Sequence, residues 1–324
     1  MSRSPCATGA KKLIPINSAG RALAQIGDRW SLLILGAAFC GTRHFDEWRK
    51  GIGIASNILT NRLARLVRLG CFEKLSIGEG RRRIYHLTEM GRELFPTALM
   101  FWRFDHLWSK THPLQPSALL HMGCGEMTVP AIICSHCRGE LVARDVRYID
   151  GPGAGTELVP PPKTSRRSNI TLDDGAVATM LFGDSIDLFG DRWTQLVLAT
   201  FFLGERRYKE IQARLHISTN ILADRLRLLV DTGMLQRRIY QTNPQRSEYI
   251  LTPKGMDAYP IILMLIAWGD RWLAPKGGRP LLLTHTPCGA ELDPMVVCNC
   301  CQTKLDPHEI NFRMKAQEAA TQAL

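Results

Sequence analysis

The sequence has no long apolar run. Its longest uninterrupted apolar stretch, Ile261 to Trp268, is much shorter than the roughly 18 residues that a membrane-spanning helix needs. No apolar stretch follows Lys11 and Lys12, as it would in a secretory signal. These absences predict a cytoplasmic protein. In that compartment its ten cysteines are expected to be free or metal-bound and not paired in disulfides.

The sequence also lacks the short motifs of several enzyme classes. It has no Walker loop, no glycine-rich dinucleotide fingerprint and no G-x-S-x-G nucleophile motif. We therefore expect no enzyme. Its charge points to another role, because 41 Lys and Arg against 30 Asp and Glu give a formal net charge of +11. This balance favours a polyanionic partner, although a basic solvated surface would give the same count.

A long internal repeat dominates the chain. Gly27–Trp30 returns as Gly190–Trp193, and Ser56–Leu59 returns in similar form as Thr219–Leu222. A period of about 160 residues exceeds the roughly 20–50 residues of a solenoid unit, so the repeat indicates two complete domains.

Each half carries the pattern of a winged helix. A nearly all-apolar first helix, Trp30–Phe39 in the first half, precedes a short second helix and a third helix with leucines on one face. Two short strands and an apolar, Trp-rich helix follow. The order of helix, helix, helix and hairpin predicts a winged helix-turn-helix.

These patterns predict an α+β, mainly α protein with five segments. Winged-helix domains are expected over residues 14–112 and 176–276, and small cysteine-bearing β elements over 113–148 and 277–312. A linker is expected over 149–175, because its Gly and Pro residues interrupt helices and strands.

The third helix of each half is the expected DNA reader. With its leucines facing the core it exposes small polar side chains and arginines, which can hydrogen-bond base edges in a major groove. The hairpin tip and the start of the second helix would hold phosphates. The predicted DNA-binding residues are Arg43, Ser56, Asn57, Thr60, Asn61, Arg62, Arg65, Arg81, Arg82, Arg83, Arg206, Arg207, Thr219, Asn220, Asp224, Arg225, Arg227 and Arg246.

Several short motifs recur in the same order in both halves. They are Ile26–Trp30, Arg43–Phe45, Ile54–Leu63, Leu87–Thr88 and Gly91, then Phe189–Trp193, Arg206–Tyr208, Ile217–Leu226, Arg246–Tyr249, Leu251–Thr252 and Gly255. With these motifs each half resembles the HxlR family of bacterial winged-helix transcriptional regulators. The resemblance implies operator binding by dimers that are joined through N- and C-terminal helices, usually with one domain per chain.

The first half departs from that family pattern in two places. Its hairpin tip reads Gly78–Arg83 where the family tends towards a proline-containing turn, as in Asn243–Arg246. Asn61 stands where an aspartate, such as Asp224, is more usual. The N-terminal cysteine with which some members sense oxidants is absent from the aligned position, so the resemblance does not imply that mechanism here.

The Cys/His elements have the composition of zinc sites. Two knuckles, each contributing two N or S ligands, suit tetrahedral zinc, and four protein ligands favour a structural role. The alternative is that these cysteines pack as buried hydrophobic side chains. One zinc per element is expected, with the ligands His121, Cys124, Cys134 and Cys137 in the first element and His285, Cys288, Cys298 and Cys301 in the second.

Together these patterns predict a regulator that binds double-stranded DNA as a covalent pseudo-dimer on one operator. The alternative is a winged-helix and zinc-ribbon interaction factor that contacts RNA polymerase or another acidic partner. The sequence leaves open whether both halves bind DNA and whether two chains associate further.

Overall fold

The computed structural model describes residues 13–76, 83–109, 118–158 and 181–313. The architecture is α+β, as predicted. No helix among these residues is long and apolar enough to cross a membrane. The first half contains β1 (Leu13–Pro15), α1 (Ser18–Ile26), α2 (Arg29–Phe39), α3 (Phe45–Gly51), α4 (Ser56–Leu69), β2 (Phe72–Ser76), β3 (Arg83–Leu87), α5 (Glu89–Arg92), α6 (Phe95–Trp108), β4 (Ala118–His121), β5 (Glu126–Thr128), β6 (Ala131–Cys134), β7 (Val146–Asp150) and β8 (Thr156–Leu158).

The second half repeats the order of the helices and the hairpin, but an isolated bridge at Glu291 takes the place of β5. It contains α7 (Ser185–Phe189), α8 (Arg192–Phe202), α9 (Tyr208–Leu215), α10 (Thr219–Asp231), β9 (Leu235–Thr242), β10 (Gln245–Leu251), α11 (Pro253–Met256), α12 (Tyr259–Trp272), β11 (Leu281–His285), β12 (Pro294–Val297) and β13 (Ile310–Arg313).

The three-helix and hairpin core forms in each half as predicted. Leu59, Leu63 and Leu66 are buried on one face of α4, and Leu222, Leu226 and Leu229 are their buried counterparts on α10. Helix α4 ends at Gly70, whose φ of 95° is the left-handed conformation that glycine adopts at low cost. The antiparallel hairpins β2–β3 and β9–β10 follow.

The last helix of each half is broken in two. Thr88 accepts a hydrogen bond from the N–H of Gly91 (3.2 Å) and caps the short α5 before α6 starts, and Thr252 caps α11 in the same way. A proline lies in the first turn of both α6 and α12, where its missing N–H costs no hydrogen bond. The sequence pattern predicts one continuous helix here, so this break was not predicted.

The two halves share one hydrophobic core. Helix α1 packs on α12, and α12 also packs on α6. Indole nitrogens bridge the halves: Nε1 of Trp268 donates to the carbonyl of Met90 (2.9 Å). Nε1 of Trp108 donates to Asp257 (2.8 Å), and Nε1 of Trp272 donates to Glu93 (2.6 Å). The interface thus uses the helices at the start and end of each winged-helix unit.

The strands that follow the winged helices pair between the halves. Strand β6 pairs antiparallel with β12, β4 with β13, and β7 with β11. In the β6–β12 ladder Ile132 lies opposite Val296, its own counterpart in the repeat. A residue that pairs with its equivalent marks a local two-fold axis. The expectation of one self-contained β element per half is therefore wrong, because each element completes its ladders with strands of the other.

The predicted linker also starts later than expected. Strand β7 runs to Asp150, and β8 pairs with β1. The N–H of Gly151 donates to the carbonyl of Pro280 (2.9 Å) and that of Gly153 to the carbonyl of Arg279 (3.1 Å). These glycines permit close approach of two backbones, because a Cβ on Gly153 would lie 2.0 Å from the carbonyl oxygen of Gly278. The remainder of the predicted linker lies outside the described residues.

Candidate nucleic-acid interface

An aspartate at the start of α2 contacts α4, which is the third helix of the sequence pattern and the predicted recognition helix of the first half. Asp28 accepts hydrogen bonds from the backbone N–H of Ser31 (3.2 Å) and from its hydroxyl (2.6 Å), so it caps α2. The same carboxylate receives a hydrogen bond from Nε of Arg62 on α4 (2.7 Å) and lies 3.8 Å from a guanidinium nitrogen of Arg65. One side chain therefore ties two helices together.

The second half repeats this arrangement. Asp191 accepts from the N–H of Thr194 (3.2 Å) and from its hydroxyl (3.0 Å), and it forms an ion pair with Arg225 on α10. This geometry explains the Gly-Asp-Arg-Trp motif, whose aspartate acts as cap and ion-pair partner.

Three of the predicted DNA-binding arginines therefore hold the recognition helices in place. The Arg62 side chain is 26% exposed and that of Arg225 16%. Arg65 also donates to the carbonyl of Ala24 in α1. Their guanidinium groups are committed to intramolecular partners and are only partly accessible. Sequence reasoning had no signal for this, because the aspartates lie far away in the chain.

The exposed face of α4 is polar and positively charged. Thr60 donates its hydroxyl to the carbonyl of Ser56 (2.8 Å), as an exposed helical threonine often does. Arg68, which the sequence analysis missed, is exposed one turn beyond Ala64, and its i, i+4 spacing from Ala64 was the available signal. The exposed face comprises Ser56, Asn57, Thr60, Asn61, Ala64 and Arg68.

The corresponding face of α10 has a different charge. Arg227 lies 3.7 Å from Asp224 on the same helix, and both side chains are exposed. Asp231 occupies the position that Arg68 has in the first half. The exposed face comprises Thr219, Asn220, Ala223, Asp224, Arg227 and Asp231. The two recognition helices are therefore electrostatically unequal.

The two hairpin wings are both basic. Arg83 is exposed at the start of β3, whereas the predicted wing residues Arg81 and Arg82 lie outside the described residues. Arg246 is exposed at the start of β10.

Two further arginines of the second wing were missed by the sequence analysis. Nε of Arg237 donates to the hydroxyl of Ser247 (2.8 Å), and Arg238 forms a two-point contact with Glu248 across the hairpin (3.0 and 2.5 Å). Because successive residues of a strand point to opposite faces, the predicted strand already implied that Arg237 and Arg238 lie on opposite faces of the wing.

The predicted phosphate-binding arginines lie at the start of α3 and of α9, next to the hairpin of the same half. The carbonyl of Arg43 accepts from the N–H of Tyr85 in β3 (3.0 Å), and that of Arg206 accepts from Tyr249 in β10 (2.9 Å). The guanidinium of Arg207 stacks over the ring of Tyr240 in the wing (4.7 Å). These contacts place the start of α3 and of α9 beside the hairpin, as a shared phosphate-binding surface requires.

A glutamate fixes the first turn of α3. The backbone N–H groups of Arg43 and His44 donate to Glu47 (3.0 and 3.1 Å), and these hydrogen bonds lower the pKa of that carboxyl. Glu210 receives the equivalent bonds at the start of α9. Both helix starts are thereby rigid.

The eight predicted metal ligands gather into two groups, but not as expected. The first cluster contains His121, Cys124, Cys298 and Cys301, and the second cluster contains Cys134, Cys137, His285 and Cys288. The expectation of one site per element is wrong, because each cluster takes one knuckle from each half. The β6–β12 ladder brings the knuckles of the two halves together: Cys134, the last residue of β6, lies opposite Pro294, and Cys298 directly follows Val297, which lies opposite Ala131.

The two winged-helix units match one known family. The profile of the HxlR-like helix-turn-helix family matches residues 25–112 and 188–277, together more than half of the chain. The chain belongs to this family. Because the profile matches twice, the chain is a tandem duplication of the HxlR-like unit.

Individual relatives match stretches that are shorter than one half of this duplicated chain. The HTH-type transcriptional regulator Rv3095 of Mycobacterium tuberculosis is 37% identical over 128 residues, which are 40% of this chain and 81% of the relative. YvaP of Bacillus subtilis, also an HTH-type transcriptional regulator, is 33% identical over 96 residues, or 29% of this chain and 89% of the relative. The solved reduced form of the B. subtilis regulator YodB is 30% identical with a TM-score of 0.26, covering 28% of this chain and 89% of that one.

Proposed function

We propose that this HxlR-like chain is a transcriptional regulator that binds double-stranded DNA sequence-specifically, with its two winged helices acting on one operator. The observation that carries the proposal is the exposed face of α4, where Asn57, Asn61 and Arg68 stand free of the core. Asn pairs with adenine and Arg with guanine or phosphate in a major groove. The HTH-type transcriptional regulators among its relatives also support a DNA-binding function.

The packing of the halves supports a single operator. Both recognition helices are anchored to one shared hydrophobic core, and equivalent residues pair across the β6–β12 ladder. Helix-turn-helix dimers place their recognition helices about 34 Å apart in successive major grooves. Here covalent duplication would supply both readers in one chain.

The charges of the two faces favour an asymmetric operator. Asp224 and Asp231 on α10 would face phosphates less favourably than Asn61 and Arg68 on α4. We therefore expect the first half to contribute more of the affinity and the second to recognise a different half-site.

The first experiment selects tight binders from a random-sequence DNA duplex pool with the full chain. An imperfect palindrome with half-sites about one helical turn apart is the expected result. Binding to it should weaken with salt, with a log–log slope of about −0.9 for each phosphate neutralised. Failure to enrich any sequence, together with a flat salt response, would refute DNA recognition.

The second experiment tests the exposed face against a matched control. Arg68→Ala should weaken binding and reduce the salt slope by about one. Arg144→Ala removes the same charge from an 85% exposed side chain outside the winged helices, and it should leave both unchanged. Equal effects of the two substitutions would show that total charge and not the α4 face drives binding.

The same assays separate the alternative of a protein-interaction factor. An arginine surface that meets an acidic protein would also attract DNA weakly, but without sequence selection. Inserting about five base pairs between the half-sites turns them to opposite sides of the duplex, since a helical turn is about 10 base pairs. A pseudo-dimer should lose affinity sharply, whereas two independently binding units should not.

A further inference from the structure

We propose that the first and second clusters each bind one zinc ion and that the two ions lock the halves of the chain together. The proposal concerns the six cysteines and two histidines of those clusters. It does not depend on DNA binding, except for the final consequence drawn below.

The distances within the first cluster match a tetrahedral zinc site. Nδ1 of His121 lies 3.3 Å from Sγ of Cys124 and 3.4 Å from Sγ of Cys301, and the sulfurs of Cys124 and Cys298 are 3.9 Å apart. Zinc bonds of about 2.3 Å to sulfur and about 2.0 Å to nitrogen place tetrahedral ligands about 3.5–3.8 Å from one another. All four atoms lie within 4.8 Å of each other.

The second cluster has the same geometry with the halves exchanged. Nδ1 of His285 lies 3.3 Å from Sγ of Cys288 and 3.4 Å from Sγ of Cys137, and the sulfurs of Cys134 and Cys288 are 4.0 Å apart. The halves have diverged at many surface positions, yet both clusters keep one histidine and three cysteines in the same arrangement. Packing alone would not require this.

Each ligand pair lies in a tight turn, or knuckle: residues 121–124 and 285–288 form the first knuckles, and residues 134–137 and 298–301 form the second knuckles. The backbone conformation of these turns suits a metal site. Gly125 and Gly289 adopt φ values of 74° and 70° and donate their N–H groups to the carbonyls of His121 and His285 (2.8 Å each). In the second knuckles Arg138 and Gln302, which follow Cys137 and Cys301, adopt φ values of 65° and 60°. A left-handed conformation is uncommon for a non-glycine residue and costs energy, and here it recurs at equivalent positions.

The histidines are oriented as metal ligands. Both rings are 1% exposed, and their Nδ1 atoms face the sulfurs. Nε2 of each ring is buried, with no hydrogen-bond partner among the described residues. The nearest carboxylate to Nε2 of His121, that of Glu309, is 3.6 Å away. A carboxylate near the ring nitrogen that does not bind the metal is common around zinc-bound histidines.

Disulfides do not explain the clusters. The sulfur pairs stand 3.9 and 4.0 Å apart, whereas a disulfide needs about 2.05 Å. The nine cysteines that the structure describes are free thiols. Three thiolates and one imidazole in a tetrahedron suit zinc, and four protein ligands leave no open position for catalysis.

Metal content tests the proposal directly. The full chain, purified without chelators, should contain two zinc ions. Replacement by cobalt(II) should give the intense thiolate-to-cobalt charge-transfer absorption of a tetrahedral sulfur-rich site. A chain that binds no zinc at micromolar metal, or a cobalt spectrum of an octahedral oxygen site, would overturn the proposal.

Paired substitutions test the exchange of knuckles. Cys124→Ser with Cys301→Ser damages the first cluster alone, so one zinc should remain. Cys124→Ser with Cys137→Ser damages both clusters, so neither zinc should remain tightly bound. If each half held its own ion, these two results would be reversed. Cys300→Ser, which removes an exposed neighbour outside both clusters, should retain two ions.

The proposed zinc sites also have a consequence for DNA binding, which rests on the proposed function. Because each ion joins residues from both halves, removing it should loosen the relation between the two recognition helices. Chelation by a strong zinc chelator should therefore weaken binding to a two-half-site operator more than binding to one half-site. If the chain holds two zinc ions but selects no DNA, the proposed function fails while the metal sites stand.

Discussion

The ion pair between Asp28 and Arg62 allows a quantitative test of how the recognition helix is held. Asp28→Ala removes the cap of α2 and the partner of a guanidinium that is largely shielded from solvent. Loss of an N-cap costs about 1 kcal/mol. Loss of a hydrogen bond to a charged group costs about 1.5 kcal/mol more. We expect a total near 2.5 kcal/mol.

Urea denaturation followed by circular dichroism measures this cost. With a denaturant slope of about 3 kcal/mol per molar urea, the midpoint should fall by roughly 0.8 M. Asp28→Asn keeps a side-chain oxygen that can cap α2 but loses the charge, so it should produce about half of that fall.

A matched control separates this site from a generic surface charge. Asp46 lies 3.4 Å from Arg49 on α3, and its side chain is 78% exposed. Exposed pairs contribute about 0–1 kcal/mol, so Asp46→Ala should hardly move the midpoint. If Asp28→Ala and Asp46→Ala shift it equally, Asp28 does not anchor α4.

Three further changes probe the junction between the halves. Burial raises the pKa of Asp105, which accepts hydrogen bonds from Ser185, to about 6. Because its unfolded value is near 4, the free energy of unfolding should fall by about 2 kcal/mol as pH rises from 4 to 6. Urea midpoints over that range should show this slope, and Asp105→Asn should flatten it; an unchanged slope would exclude Asp105 as its source. Trp268→Phe removes a buried hydrogen bond and should cost about 1 kcal/mol in the same assay; a neutral result would contradict that role. Gly153→Ala forces a backbone contact and should lower the melting temperature, whereas Gly51→Ala, which meets nothing within 4 Å, should not.

The winged helices could be predicted because their signals are local. The leucine spacing of α4 lies within one short segment, and the repeat gave the same pattern again in α10. The structure confirms the burial of Leu59, Leu63 and Leu66 that this spacing predicts.

The exchanges between the halves could not be predicted, because each depends on partners far apart in sequence. Contiguous Cys/His spacing is equally compatible with a site within one half and with the crossed clusters. Gly151 and Gly153 have the composition of a linker, although they lie where two backbones touch. Arg62 and Arg225 resemble DNA contacts until the aspartates that bind them are located.

The crossed strands also constrain when the protein can finish folding during its synthesis. Strand β4 gains its partner β13 only when residues 310–313 have left the ribosome. At about 5–20 residues per second, roughly 10–40 seconds separate the emergence of the two strands. Until then the first half exposes an unpaired strand edge, which is a template for association with other chains. A nascent chain that stalls before its last strand is therefore exposed to aggregation, even with its first winged helix complete.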